Sequence, residues 1–209
     1  MKIAVFMGGT SSEKEISLRS GEAVLESLQR QGYDAYGVVL DENNQVTAFL
    51  ENDYDLAYLV LHGGNGENGK IQAVLDILGK KYTGSGVLAS ALTMDKNKTK
   101  QIAENIGIRV PKSYRDLDSI ERFPVIIKPV DEGSSKGLFL CNNKEEAGEA
   151  LKKLRKPIIE DYIVGEELTV GVLNGKALGV LKIIPQADVL YDYDSKYAKG
   201  GSIHEFPAK

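Results

Sequence analysis

The sequence predicts an α/β protein, with an N-terminal doubly wound parallel-sheet domain followed by an α+β domain on an antiparallel sheet. Three observations predict it. Apolar runs alternate with amphipathic helical repeats through about residue 90, the pattern of parallel strands joined by crossover helices. After Met94 the strands follow one another with helices interspersed. Near the end, Asn174-Gly175 separates two apolar runs, the strongest short-range signal for a tight hairpin. The boundary between the domains is expected near residue 93.

Each element has its own warrant. Residues 3–7 are apolar throughout and lead into Gly8-Gly9, as expected of a strand buried on both faces. Ser11-Ser12-Glu13-Lys14-Glu15 reads as a polar helix start, with Glu15 spaced to close a capping box on Ser12. Ile16, Val24, Leu25 and Leu28 then recur at helical spacing until Gly32. Strands follow at 35–40 and 56–61, and a helix carries Ile71, Val74, Leu75 and Leu78 up to Gly79. In the second part a helix over 95–105 precedes Arg109-Val110-Pro111, a short helix and a strand at 124–129. A glycine-serine loop, a strand at 138–141, an amphipathic helix at 144–154 and a strand at 158–163 come next. Strands at 168–173 and 176–184 flank the hairpin turn. From 186 to 209 no periodicity is visible, so a long loop is expected, functional or disordered.

Composition limits the partners. The 209 residues carry 26 Lys and Arg against 30 Asp and Glu, a formal charge of −4. That gives no basic surplus for nucleic acid. No stretch approaches the ~18 apolar residues that span a membrane, and the single cysteine, Cys141, has no internal partner for a disulfide. A soluble, cytoplasmic protein is expected, with Cys141 as a buried apolar filler.

Two glycine loops and a few charged residues carry the chemistry. Gly8-Gly9 lacks the Gly-x-Gly-x-x-Gly spacing of a dinucleotide loop. Glu13 stands where a pyrophosphate would sit, and would repel it. A carboxylate there suits a cation such as the ammonium of an amino acid; as an acid favoured by the helix dipole it needs no ligand. The loop from Lys128 to Gly137 offers glycine backbone donors, the hydroxyls of Ser134 and Ser135, and Lys128 at the end of a buried strand. That set suits a triphosphate; it reads equally as a glycine-rich turn beside a solvated lysine. Lys96, Lys98 and Lys100 lie at a helix start and read as a solvated face. Glu160 and Glu166-Glu167 can accept from an adenine amino group and ribose hydroxyls, or be edge charges. His62 closes an apolar strand and precedes Gly63-Gly64, the strand end where open α/β sheets bind ligands.

Together these segments resemble the D-alanine–D-alanine ligases of the ATP-grasp superfamily. In order, the matching runs are 7–17, His62-Gly63-Gly64-Asn65-Gly66-Glu67-Asn68-Gly69, 82–86 with Met94-Asp95-Lys96, the loop 128–137, Glu160 through Glu166-Glu167-Leu168-Thr169-Val170, and 191–197 with Pro207-Ala208. The resemblance covers essentially the whole chain. It implies that ATP phosphorylates the carboxylate of a first D-alanine and that the amine of a second attacks the acyl phosphate, for peptidoglycan precursor synthesis. Glu13 would hold the first ammonium and His62 would lie near the second substrate. Lys96 and Lys128 would contact the ATP phosphates, Glu160 the adenine and Glu167 the ribose. Ser134 and Tyr197 would join Glu13 in a network that fixes the loop carrying Lys196 over the γ-phosphate, with 186–202 closing as a lid.

The same resemblance implies three segments: a substrate-side domain at 1–93, a central ATP-grasp subdomain at 94–163, and the start of a C-terminal subdomain at 164–209. D-alanine and ATP are the implied small-molecule partners, with pairing as a homodimer. There are two departures. Asn68 stands where the family usually carries Asp. The family's Mg²⁺ ligands and a substrate-steadying arginine lie in a later segment, so no metal ligand is expected within residues 1–209, and the ATP-grasp domain is expected to be incomplete. An inactive or partial ligase is therefore expected, with a catalytically dead binding module or truncated gene product as the alternative. Another ATP-grasp ligase of different substrate is weakened by Glu13, Ser134 and Tyr197.

Overall fold

The computed structural model describes residues 1–185 and 201–208. They form two units, Met1–Ile108 and Arg109–Lys209.

The first unit runs β1 (Lys2–Gly8), α1 (Lys14–Arg30), β2 (Asp34–Leu40), α2 (Thr47–Glu51), β3 (Leu56–Leu59), α3 (Gly64–Glu67), α4 (Lys70–Ile77), β4 (Lys81–Tyr82), α5 (Val87–Met94) and α6 (Lys96–Asn105). Its sheet is parallel, in the order β2-β1-β3-β4. Every residue of β1 after Lys2 is buried, which accounts for its unbroken apolar run. Alternate residues feed two cores. Ala4 and Phe6 pack with Leu40, Phe49, Tyr54 and Leu75 on one face, and the Phe6 and Phe49 ring centroids are 4.3 Å apart. Ile3, Val5 and Met7 meet Leu18, Val24, Leu25 and Leu28 of α1 on the other. Gly21 makes that second contact close: a Cβ there would lie 2.5 Å from the Met7 Cβ.

Helix starts differ from expectation at one place. The cap of α1 is Glu13, without a side-chain capping bond of its own, one residue later than the Ser12 start expected. Ser11 accepts the Glu13 N–H at 3.1 Å. Asp95 caps α6 by accepting the Lys98 N–H at 3.1 Å, and Lys96 falls in this first unit. The short elements α2, α3, β4 and α5 go beyond the sequence reading, because four or five residues, or an almost wholly apolar run, show no period.

The second unit contains β5 (Ser113–Tyr114), a 3₁₀ turn (Leu117–Ser119), β6 (Val125–Pro129), β7 (Phe139–Cys141), α7 (Lys144–Lys153), β8 (Pro157–Asp161), β9 (Glu167–Leu173), β10 (Lys176–Pro185) and β11 (Ser202–Glu205). One antiparallel sheet has the order β5-β8-β6-β7 and another β11-β10-β9. Ala147 and Ala150 of α7 pack on Val125, Ile127, Cys141 and Ile159. Burial pushes the Cys141 thiol up, in keeping with a core filler. Asn143 caps α7 by accepting the Glu146 N–H at 2.9 Å, and Glu146 accepts the Asn142 N–H in return at 2.8 Å. The hairpin turn places Asn174 at φ 49° and Gly175 at φ 75°, the left-handed pair that an Asn-Gly turn predicts. The stretch expected to be loop after 186 contains a strand among its described residues. β11 pairs antiparallel with β10, Ile203 opposite Ile184; four residues are too few to announce themselves by alternation.

Candidate functional site

In the first unit a small cleft opens beyond the carboxyl ends of β1, β2 and β3, with Ser11, Gln45, His62 and Asn65 on its polar side and Leu40, Leu61 and Ile71 on its apolar side. Such strand ends are where parallel sheets hold ligands. The Glu13 side chain is buried beside it and is not itself part of its lining. Ser11 ties it to His62: its hydroxyl donates to the His62 carbonyl at 2.5 Å and accepts the Glu13 N–H at 3.1 Å. Gly63 sits at φ +65°, and a Cβ on it would stand 2.6 Å from Glu13 Oε2. The carboxylate is therefore seated against bare backbone. Ser17 ties the end of β1 to the residue after β3, accepting from the Gly8 N–H at 2.8 Å and donating to the Val60 carbonyl at 2.5 Å. At the rim His62 Nδ1 lies 3.9 Å from Glu67 Oε1, and Gln45 Oε1 accepts from Asn65 Nδ2 at 2.7 Å. Of the two residues singled out in this part of the sequence, His62 lines the cleft, and Glu13 lies behind it, linked to His62 through Ser11. The sequence reading misses Ser11, Ser17 and Gln45; the bonds of the first two to His62 and Val60 just after β3 span 51 and 43 positions and leave no local pattern.

Asn68, the mild departure, has a structural job. Its Oδ1 accepts the Lys70 N–H at 3.2 Å at the start of α4, which an aspartate oxygen would do equally.

In the second unit Lys128 and Glu160 meet. Lys128 faces Ile158 across the β6–β8 ladder, and Ile126 faces Glu160. The two charges are thus diagonal neighbours on one side of the sheet, with Lys128 Nζ 2.6 Å from Glu160 Oε2. Glu160 is 3% exposed. The loop leaving β6 carries Ser134 at φ 50° and Ser135 at φ 56°, a left-handed conformation that costs a non-glycine residue about 1–2 kcal/mol. Glu167 opens β9 opposite Ile183 and is exposed; its neighbour Glu166 pairs with Lys182. Tyr197 and Lys196, with most of the expected lid, lie outside the described residues.

A buried network absent from the sequence reading sits beside this pair. Asp161 is 5% exposed; its Oδ1 accepts from the Tyr114 hydroxyl at 2.7 Å, and Arg122 grips both oxygens. Arg122 first, and then the Tyr114 hydroxyl, hold its carboxyl below the usual carboxylate range. With 39 residues between Arg122 and Asp161, spacing alone could not have revealed it.

Comparison with known proteins shows the family. The family model described as the D-ala D-ala ligase C-terminus matches residues 82–209. A D-alanine–D-alanine ligase of Fusobacterium nucleatum subsp. nucleatum is 88% identical over 209 residues, all of this chain and 73% of that protein. The chain belongs to the D-alanine–D-alanine ligase family. By family it is an ATP-dependent ligase. The crystal structure of the D-alanine–D-alanine ligase from Bacillus anthracis superposes with a TM-score of 0.84 at 34% identity, over 98% of this chain and 71% of that one. The same enzyme complexed with ATP gives 0.81 at 33% identity, over 98% and 70%. The mixed α/β architecture, with one parallel and two antiparallel sheets, is that of the ligase family.

Among the described residues no cluster of three or more His, Cys, Asp or Glu is arranged to hold a metal ion. The described residues offer no donor set that fits Mg²⁺. No described helix is long and apolar enough to cross a membrane.

Proposed function

We propose that the chain serves the ATP-dependent joining of two D-alanines for peptidoglycan precursor synthesis, in the cytoplasm. One observation carries the substrate side of this reading: the buried Glu13 carboxylate against Gly63 at the mouth of a parallel sheet. A buried acid beside a ligand-sized opening favours a compact cation, and the ammonium of an amino acid is one. His62, tied to the same serine, would face the second D-alanine.

The nucleotide side is read as an ATP-grasp domain, with its central part at 94–163 and a further part at 164–209. Lys128, with Lys96, would neutralise phosphate oxygens. The Ser134-Ser135 turn would add hydroxyl and backbone donors. Glu160 would accept from the adenine amino group and Glu167 from the ribose. Ser134, Tyr197 and Lys196 would complete closure over the γ-phosphate.

The chemistry is a transfer followed by an acyl substitution. A carboxylate oxygen of the first D-alanine attacks the γ-phosphorus, the β–γ bridging bond breaks, and ADP leaves. The neutral amine of the second D-alanine attacks the acyl carbon and expels inorganic phosphate, having given up a proton. The protein's residues act by holding the reactants in line and offsetting charge, and closure by 186–202 would keep water from the acyl phosphate. Two copies would pair as a homodimer.

The test is phosphate release by the 209-residue chain with ATP, Mg²⁺ and D-alanine, alongside calorimetric titration of each ligand. Binding of both ligands is the expected outcome, and release that requires D-alanine would overturn the expectation of an inactive or partial form. Binding of ATP and D-alanine without release would assign the chain to a binding module, and failure to bind D-alanine would sink the role of Glu13.

A further inference from the structure

We propose that Asp161, clamped by Arg122 and Tyr114, is a positioning residue for base recognition, fixing the strand end that presents Glu160. The inference rests on the reading of Glu160 as the adenine partner.

The geometry follows from the pleat of β8. Successive side chains face opposite sides. Ile159 and Asp161 turn toward the side covered by α7, where Ile159 joins Val125, Ile127 and Cys141. Ile158 and Glu160 turn to the other side, with Ile126 and Lys128 opposite them. Asp161 is held at every polar group that has a partner to find. Its carboxylate takes the Tyr114 hydroxyl and the Arg122 guanidinium. Its N–H donates to the Lys112 carbonyl at 2.9 Å, and the next residue's N–H, of Tyr162, points to the Pro124 carbonyl at 3.4 Å. Lys112 in turn lies 5.4 Å from the Tyr114 ring centre and pairs with Glu121. The clamp therefore joins β5, the segment before β6 and the end of β8 into one assembly.

Glu160 is the residue just before that anchor. A hydrogen bond to an adenine amino group tolerates little displacement of its acceptor, whereas an ammonium on a phosphate acts as a point charge and tolerates more. Loosening the clamp should therefore weaken selection of the base and leave phosphate binding alone.

The experiment measures binding of ATP, GTP and inorganic tripolyphosphate to the full chain and to its Asp161→Asn, Arg122→Met and Tyr114→Phe variants. The chain is expected to prefer ATP to GTP. The variants are expected to lose roughly tenfold in ATP affinity, the scale of one misplaced charged hydrogen bond, with tripolyphosphate affinity unchanged. If Asp161→Asn does not fold, Tyr114→Phe, which removes a single hydroxyl, carries the test. Variants that keep the ATP-to-GTP ratio overturn the inference. So do variants in which ATP and tripolyphosphate weaken equally, since the clamp would then serve only folding. A parent chain without base preference overturns the reading of Glu160 and the inference with it.

Discussion

Lys128 and Glu160 form an ion pair at 2.6 Å on the side of the β6–β8 ladder away from α7. Glu160 is almost wholly buried while Lys128 keeps about a quarter of its side chain exposed. Removing the lysine strands a buried charge, which costs more than removing both. Lys128→Met should lose about 3 kcal/mol, the low end for a broken buried pair because Lys128 is partly wet. The double variant Lys128→Met/Glu160→Met should recover most of that loss. Urea unfolding of the three proteins checks it, and equal losses in single and double variants would contradict it.

Gly63 is the contact on which the Glu13 seat depends. Gly63→Ala combines a left-handed strain of about 1–2 kcal/mol with a Cβ 2.6 Å from Glu13 Oε2. D-alanine affinity should fall at least tenfold, since the carboxylate must move. Gly79→Ala is the control, because Gly79 has φ +64° and open space around it. It should lose similar stability and keep its affinity. Titration calorimetry distinguishes the two.

The Asp161 clamp predicts an acid-sensitive contribution to stability. Arg122 and then Tyr114 hold the Asp161 carboxyl down, with Lys112 assisting; Lys112 is itself paired with Glu121. A depressed folded-state pKa adds stability above the unfolded value of about 3.9 and loses it as pH falls through the lower folded value. Asp161→Asn should therefore melt lower than the parent at pH 7. The difference should shrink below about pH 4. Melting curves across that range would oppose the assignment if the gap stayed constant.

β9 lies at the edge of its sheet and is exposed at every residue. Leu168, Val170 and Val172 share one of its faces. An exposed edge strand with an apolar face favours association. Light scattering should show a mass rising with concentration, and Val170→Lys should reduce it. A monodisperse monomer over the whole range would rule this out.

Regular, long elements were legible in the sequence because their physics is local. The double-sided burial of β1 follows from its unbroken apolar run, α7 from its 3.6-residue period, and the hairpin from Asn174-Gly175. Glu13, His62, Lys128 and Glu160 were legible as residue types at strand and helix ends. Their partners were not. The Ser11 bond to His62 spans 51 positions, as does no motif read along the chain, and the Arg122 grip on Asp161 spans 39. β11 and α3 were missed for another reason: four residues contain one helical turn or two pleats, too little for a period.

Position 17 shows how tightly the joint between β1 and β3 limits sequence change. Its hydroxyl receives from Gly8 and gives to Val60 in a site with no exposure at all. Alanine fits but leaves an N–H and a carbonyl without this partner. Threonine keeps the hydroxyl and adds a methyl where there is no room. Cysteine is larger and a weaker donor and acceptor. Each near neighbour of serine fails for a different reason, so drift at this position is confined to a single amino acid while its helical neighbours on the solvent side can vary.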